Sequence, residues 1–145
     1  MATTHISYTN DIERALEVVE TLSATQTLTK GDSGKVFILD AAAGKTITLP
    51  ALAEGLRFKF IVGAAFATDN WVIASSEGDN INGIIADMGA TVAGVPAAGE
   101  DQINFVASAE TIGDYIELIC DYGNSQWLVS GMCAANGGIT ATDPA

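Results

Sequence analysis

Residues 57–62 read Arg-Phe-Lys-Phe-Ile-Val. Phe58, Phe60 and Val62 alternate with Arg57 and Lys59, and only a β-strand sends successive side chains to opposite faces. The same period recurs along the chain. Lys45-Thr46-Ile47-Thr48-Leu49 turns Ile47 and Leu49 inward, and the segments 35–40, 70–75, 80–85, 90–95, 101–108, 114–122 and 126–133 are short, β-branched or aromatic runs. Gly, Asn, Asp and Pro separate them at intervals of about 8–12 residues, a spacing that favours an antiparallel sandwich or barrel over βαβ units. The pattern predicts an all-β fold: an antiparallel β-sandwich or jelly-roll-like domain over residues 31–134.

The two ends read differently. In residues 10–22, Asn10 or Asp11 can cap a short helix whose apolar positions Ile12, Leu16 and Val19 fall at helical spacing, although Val-Val-Glu-Thr-Leu also alternates as an extended arm would. The expectation is an N-terminal arm over 1–30, with a short helix and then a strand near 25–29. Residues 135–145, small and polar, read as a C-terminal tail.

Two strings imitate catalytic motifs. Gly31-Asp32-Ser33-Gly34-Lys35 is one letter from the surroundings of a chymotrypsin-type serine. A serine nucleophile needs a base and an oxyanion hole, and the single histidine, His5, stands in the arm. The simpler reading is a turn in which Asp32 and Ser33 bond local backbone and Gly34 supplies an unusual φ. Gly44-Lys45-Thr46 ends like a phosphate-binding loop, but that loop needs a glycine five residues before Gly44, where Leu39 stands, and a helix after it, where a strand pattern follows. This string predicts a hairpin: a strand ending at Asp40, a loop over Ala41–Gly44, and a strand from Lys45. No catalytic residue and no cofactor is expected, and the chain reads as a non-enzyme.

The 145 residues carry eighteen acidic and six basic side chains, a formal charge of −12. The acids are scattered singly, which makes a self-repelling solvated surface unsuited to phosphate backbones or anionic membranes. No apolar run approaches the roughly 18 residues of a membrane span, and the first twenty residues lack the basic and apolar regions of a signal peptide. A reducing host cytoplasm is the expected site of synthesis.

Cys120 and Cys133 fall on two runs joined by Gly123-Asn124-Ser125-Gln126. A turn centred on Asn124 and Ser125 pairs Cys120 with Val129 and Cys133 with Ile116. The sulfurs are then about 13 Å apart along the strand, beyond disulfide reach, so two free thiols are expected. Glu77, Asp79 and Asn80 offer oxygen ligands of the kind Ca²⁺ takes but miss the EF-hand spacing, so a solvated loop is expected and no metal. Trp71 and Trp127 suit a sugar-stacking platform by type, yet their Val and Ile neighbours point to core or subunit interface.

A resemblance adds to this reading. Residues 27–64, followed by 70–85, resemble a segment of structural proteins from tailed bacteriophages, most clearly at Asp32-Ser33-Gly34, Leu39-Asp40, Thr48-Leu49-Pro50, Gly55-Leu56 and Phe58-x-Phe60. The segment is similar to one in head decoration (cement) proteins, and versions occur in tail and fibre proteins. The resemblance implies a β-sandwich or jelly-roll virion protein on the capsid exterior, a homo-oligomer with a trimer favoured, whose partner is the major capsid protein. It implies an arm over 1–30 that reaches neighbouring subunits, and a shell stabilised by bridging capsomers. The alternatives are a tail or fibre component and a carbohydrate-binding β-sandwich module.

Overall fold

The computed structural model describes residues 17–90 and 94–144. They form two β-sheets packed face to face around one core. Twelve strands follow one another: β1 (Val19–Leu22), β2 (Gln26–Thr27), β3 (Val36–Leu39), β4 (Thr46–Thr48), β5 (Arg57–Val62), β6 (Trp71–Ala74), β7 (Ile81–Asp87), β8 (Val95–Glu100), β9 (Gln102–Phe105), β10 (Tyr115–Asp121), β11 (Gln126–Cys133) and β12 (Ile139–Thr142). One sheet has seven strands in the order β1-β3-β5-β10-β11-β7-β8, and the other has five in the order β12-β9-β6-β4-β2. The all-β sandwich is the expected fold class. Among the described residues no helix is long and apolar enough to cross a membrane.

The strands do not run mainly antiparallel, however. The first six alternate between layers, the odd-numbered in the larger sheet and the even-numbered in the smaller. Each strand therefore returns beside the strand two places earlier and in the same direction: β1, β3 and β5 are mutually parallel, as are β2, β4 and β6. The hairpin expected over Ala41–Gly44 is thus a layer crossing, with β3 in one sheet and β4 in the other. Sheets stack about 10 Å apart, a gap that six connecting residues span easily. Neighbouring crossings also stack. Gly44 donates its N–H to the Thr68 carbonyl at 2.8 Å, and a Cβ on Gly44 would lie 2.2 Å from the Asn70 backbone. Gly44 allows two crossings to touch; it does not cradle a phosphate.

The ends belong to the sandwich. Val19–Leu22 is not helical but an edge strand paired with β3, and it buries Leu22. The β-branched residues there gain a parallel ladder, which outweighs a helical spacing with no packing partner. The helix caps Asn10 and Asp11 lie outside the described residues. The strand expected near 25–29 is β2, on the edge of the smaller sheet. Within the expected tail, β12 pairs antiparallel with β9. The strand expected over 90–95 falls partly outside the described residues, and β8 starts at Val95. It tolerates Pro96 because it is an edge strand, with only one neighbour to hydrogen-bond.

The core joins both layers. Phe37 and Phe60 stack with ring centroids 5.3 Å apart, and Phe58 tilts against Trp127 at 5.8 Å. From the smaller sheet, Ile47, Trp71, Ile73, Ile103 and Phe105 meet them, all fully buried. Two buried carboxylates tie loops to this body. Asp114 accepts from the N–H groups of Thr111 (2.8 Å) and Ala134 (3.0 Å), and Asp87 accepts from Gly89 (3.0 Å) and Gly137 (2.9 Å).

Asp114→Ala leaves two N–H groups without their acceptor. The expected loss is about 2–3 kcal/mol of unfolding free energy, read from urea denaturation, with Asp114→Asn losing less because it keeps one acceptor oxygen.

Candidate functional site

Asp32, Ser33 and Gly34 build a turn. A single 3₁₀ turn, Lys30–Asp32, is capped by Asp32 itself, whose Oδ2 accepts from the N–H and the hydroxyl of Thr29, both at 2.8 Å. Gly34 takes a φ of 87°, in the left-handed region. Ser33 reaches farther than its own turn: its Oγ accepts from the Arg57 N–H at 3.1 Å, and the Gly34 N–H donates to the Arg57 carbonyl at 2.8 Å. The serine hydroxyl is a rivet between the turn and β5. His5 lies outside the described residues.

Lys35 stands over this turn and bonds Asp32 at 2.6 Å and Glu20 at 2.8 Å. The ammonium, joined by the Thr29 N–H, holds the Asp32 carboxyl down at about 2, and the two carboxylates, Asp32 first, push the Lys35 ammonium up.

Trp71 and Trp127 are both fully buried, so neither ring offers a face to a sugar. Cys120 and Cys133 are free and buried, and burial pushes both thiols up. Their register differs from expectation. Cys120 pairs with Trp127, not Val129, and Ile116 pairs with Gly131, not Cys133. The connection is a four-residue loop with a 3₁₀ turn at Tyr122–Asn124 and Ser125 at φ 55°. Asp121 clamps it by accepting from Asn124 (2.7 Å) and Gln126 (2.8 Å), and these bonds hold its carboxyl below the usual range. The thiols end up about six residues apart along the ladder, roughly 20 Å.

Glu77, Asp79 and Asn80 do not converge. Asn80 is buried and bonds Ser75, and its carbonyl accepts from the Trp127 N–H. Asp79 instead meets Asp101 and Asp143, with one oxygen from each within 4.8 Å of the others. Asp101 turns the corner between β8 and β9, and Asp143 follows β12, so the sequence separates by dozens of residues what the sandwich rim assembles. Asp101, with Asp79 and Glu100 adding to it, pushes the Asp143 carboxyl up. These three are the described residues that could hold a hard cation.

The larger features are the outer sheet faces. On the seven-stranded sheet, Ile119 pairs with Leu128 and Tyr115 with Met132, all pointing outward. Ile84 (62 % exposed), Ile119 (55 %), Leu128 and Met132 (both 41 %) stand open there. Across the same face Lys59 bonds Glu117 at 3.1 Å and lies 5.0 Å from the Tyr115 ring centroid, a solvated pair worth well under about 1 kcal/mol. A shallow cleft between Val36, Arg57, Lys59 and Ile119 continues this face to one end of the sheet. The five-stranded sheet presents rows of Thr46, Val72, Asn104 and Thr140, and of Thr48, Ala74, Gln102 and Thr142. Asn104 Nδ2 donates to the Thr142 hydroxyl at 2.9 Å and accepts from Gln102 at 2.8 Å. Among the described acids only Glu20 and Glu117 lie inside a strand; the others sit at strand ends or in loops. Sequence reasoning had the outward residues but not their neighbours, because parallel pairing sets which strands lie side by side.

Compared with models of known families, with curated proteins and with solved structures, the chain matches none.

Asp32 contributes stability that is complete above the unfolded chain's value of 3.8 and drains as pH falls through it toward about 2. Asp32→Asn is therefore expected to cost about 1–2 kcal/mol at neutral pH, after solvent screening. It should also flatten the acid limb of the stability curve, as urea titrations from neutral to acid pH would record. Both thiols should resist a thiol reagent in the native protein and react only on unfolding, and oxidants should leave the chain's mobility in non-reducing gels unchanged.

Proposed function

We propose that this chain is a capsid decoration (cement) protein, a virion structural protein that lies on the outside of a phage head and stabilises the shell by bridging capsomers. The observation that carries the reading is the pair of broad, charge-poor sheet faces on a chain of charge −12. A bridging protein needs contact surfaces on more than one side, and contact areas must shed charge to be desolvated cheaply. The resemblance of residues 27–85 to phage structural proteins supports the same reading. The acid-rich loops fit a particle exterior, where like charge keeps particles dispersed.

The mechanism is mechanical. Each copy adds buried area across a joint between capsomers, and many copies act together, so internal pressure must break several weak contacts at once. The major capsid protein is the partner, and synthesis takes place in the host cytoplasm. The arm expected over 1–30 is narrowed to residues before β1, since β1 and β2 are sheet strands.

Shells assembled from the major capsid protein of the source genome, without this chain, provide the test. The expected result is saturable binding to the shell exterior and a higher temperature of shell rupture in its presence. Binding to purified tails and not to shells would replace the reading by a tail component; binding to neither would overturn the virion reading.

A further inference from the structure

We infer that the outer face of the seven-stranded sheet is the surface on which a second copy of this chain docks. The inference goes beyond the virion reading, because it names a homotypic contact that needs no shell.

The face is apolar where a solvated sheet alternates to polar residues. Its exposed side chains, Ile84, Ile119, Leu128 and Met132, lie on the adjacent strands β7, β10 and β11 and form one patch, not scattered singles. No described residue covers it.

Charge selects the occupant. Two copies of this chain meet as bodies of −12 each, so most approaches are repulsive. On this face the strands carry Arg57, Lys59 and Glu117, with Glu17 beside the cleft. Two of the chain's six basic residues are here, opposite two acids, so the face is close to neutral and suits a copy of itself. A strongly basic partner would be drawn to the acidic loops instead, and a strongly acidic one would be repelled by the rest of the surface.

The area is sufficient. Five central strands about 4.8 Å apart and about 20 Å long offer on the order of 500 Å² per copy, with the flanking strands adding to it. Two copies bury about 1,000–1,200 Å², the lower range of specific interfaces.

The experiment is the solution mass of the full chain at micromolar concentration, by light scattering and native mass spectrometry with no shell present. The wild-type protein is expected at a multiple of 14.9 kDa. Leu128→Glu and Ile119→Glu change exposed side chains and leave the core alone; each is expected to weaken association by about tenfold or more, with the near-ultraviolet spectrum of Trp71 and Trp127 unchanged. Val72→Glu, on the opposite sheet, is expected to leave the mass unaltered. If Leu128→Glu fails to fold, Ser130→Lys introduces a charge on the same face. A monomeric wild-type chain overturns the proposal, and so does an oligomer that survives these substitutions while Val72→Glu disperses it. Neither outcome touches shell binding, so the two readings fail separately.

Discussion

The fold depends on a constraint in its first half: each of the first five connections carries the chain from one sheet to the other. Once a chain alternates between layers, every second strand returns in the same direction, and parallel pairing follows from geometry without any special residue. The strands themselves are short, two to six residues, and a parallel pair of that length holds little by itself. What holds them is that each inward side chain meets the opposite layer. Phe37 and Phe60 stack within the larger sheet, and Ile47 and Ile73 close on them from the smaller one. The remaining strands then seal the sandwich. β10 and β11 form a hairpin that sits between β5 and β7, joining the wound half to the rest.

Strand positions were legible in the sequence, and strand partners were not. Phe58-x-Phe60-x-Val62 marks its inward face without help, because period-two alternation is a local property. The Ala41–Gly44 turn marks only that a strand has ended. Small residues and glycine serve a hairpin and a layer crossing equally well, and which one forms is decided by what Ile47 packs against, a contact far away in sequence. The same limit explains β1. Helical spacing in residues 10–22 is real as a pattern, but at Val19–Leu22 a free edge of β3 offers ladder hydrogen bonds and a place for Leu22. The β12 strand escaped notice for the opposite reason: Ile-Thr-Ala-Thr is too short and too polar on one side to stand out, yet it caps the sheet edge at β9.

The segment that resembles phage structural proteins now has a physical description. Leu28 hands its N–H to the Thr48 carbonyl, Asp32 caps its turn, and Ser33 and Gly34 pin that turn to Arg57. Leu39, Leu49, Leu56, Phe58 and Phe60 are the core residues that follow. The matched positions are therefore those that close successive windings of the chain. The Asp-Ser-Gly string imitates a nucleophile because both uses exploit the same chemistry: a short polar side chain that bonds backbone beside a glycine free of a Cβ. In an enzyme the hydroxyl must be left available; here it is occupied by a backbone donor.

Placement of charge connects this fold to contact with other molecules. A chain of −12 could spread its acids over every surface, and the period-two pattern gives each strand outward positions on which to do so. Instead those positions hold Ile, Leu, Met and Thr, and the acids gather at turns, where Asp and Asn also cap and bend the backbone. One consequence is the rim cluster of Asp79, Asp101 and Asp143, which repel one another because three turns converge at the edge where β8 and β12 approach. The other is that both broad faces can be desolvated without stranding charge, apart from the Lys59–Glu117 pair, whose members already neutralise each other. Contact on those faces therefore turns on shape and apolar area, while the acidic rim resists approach from any other side.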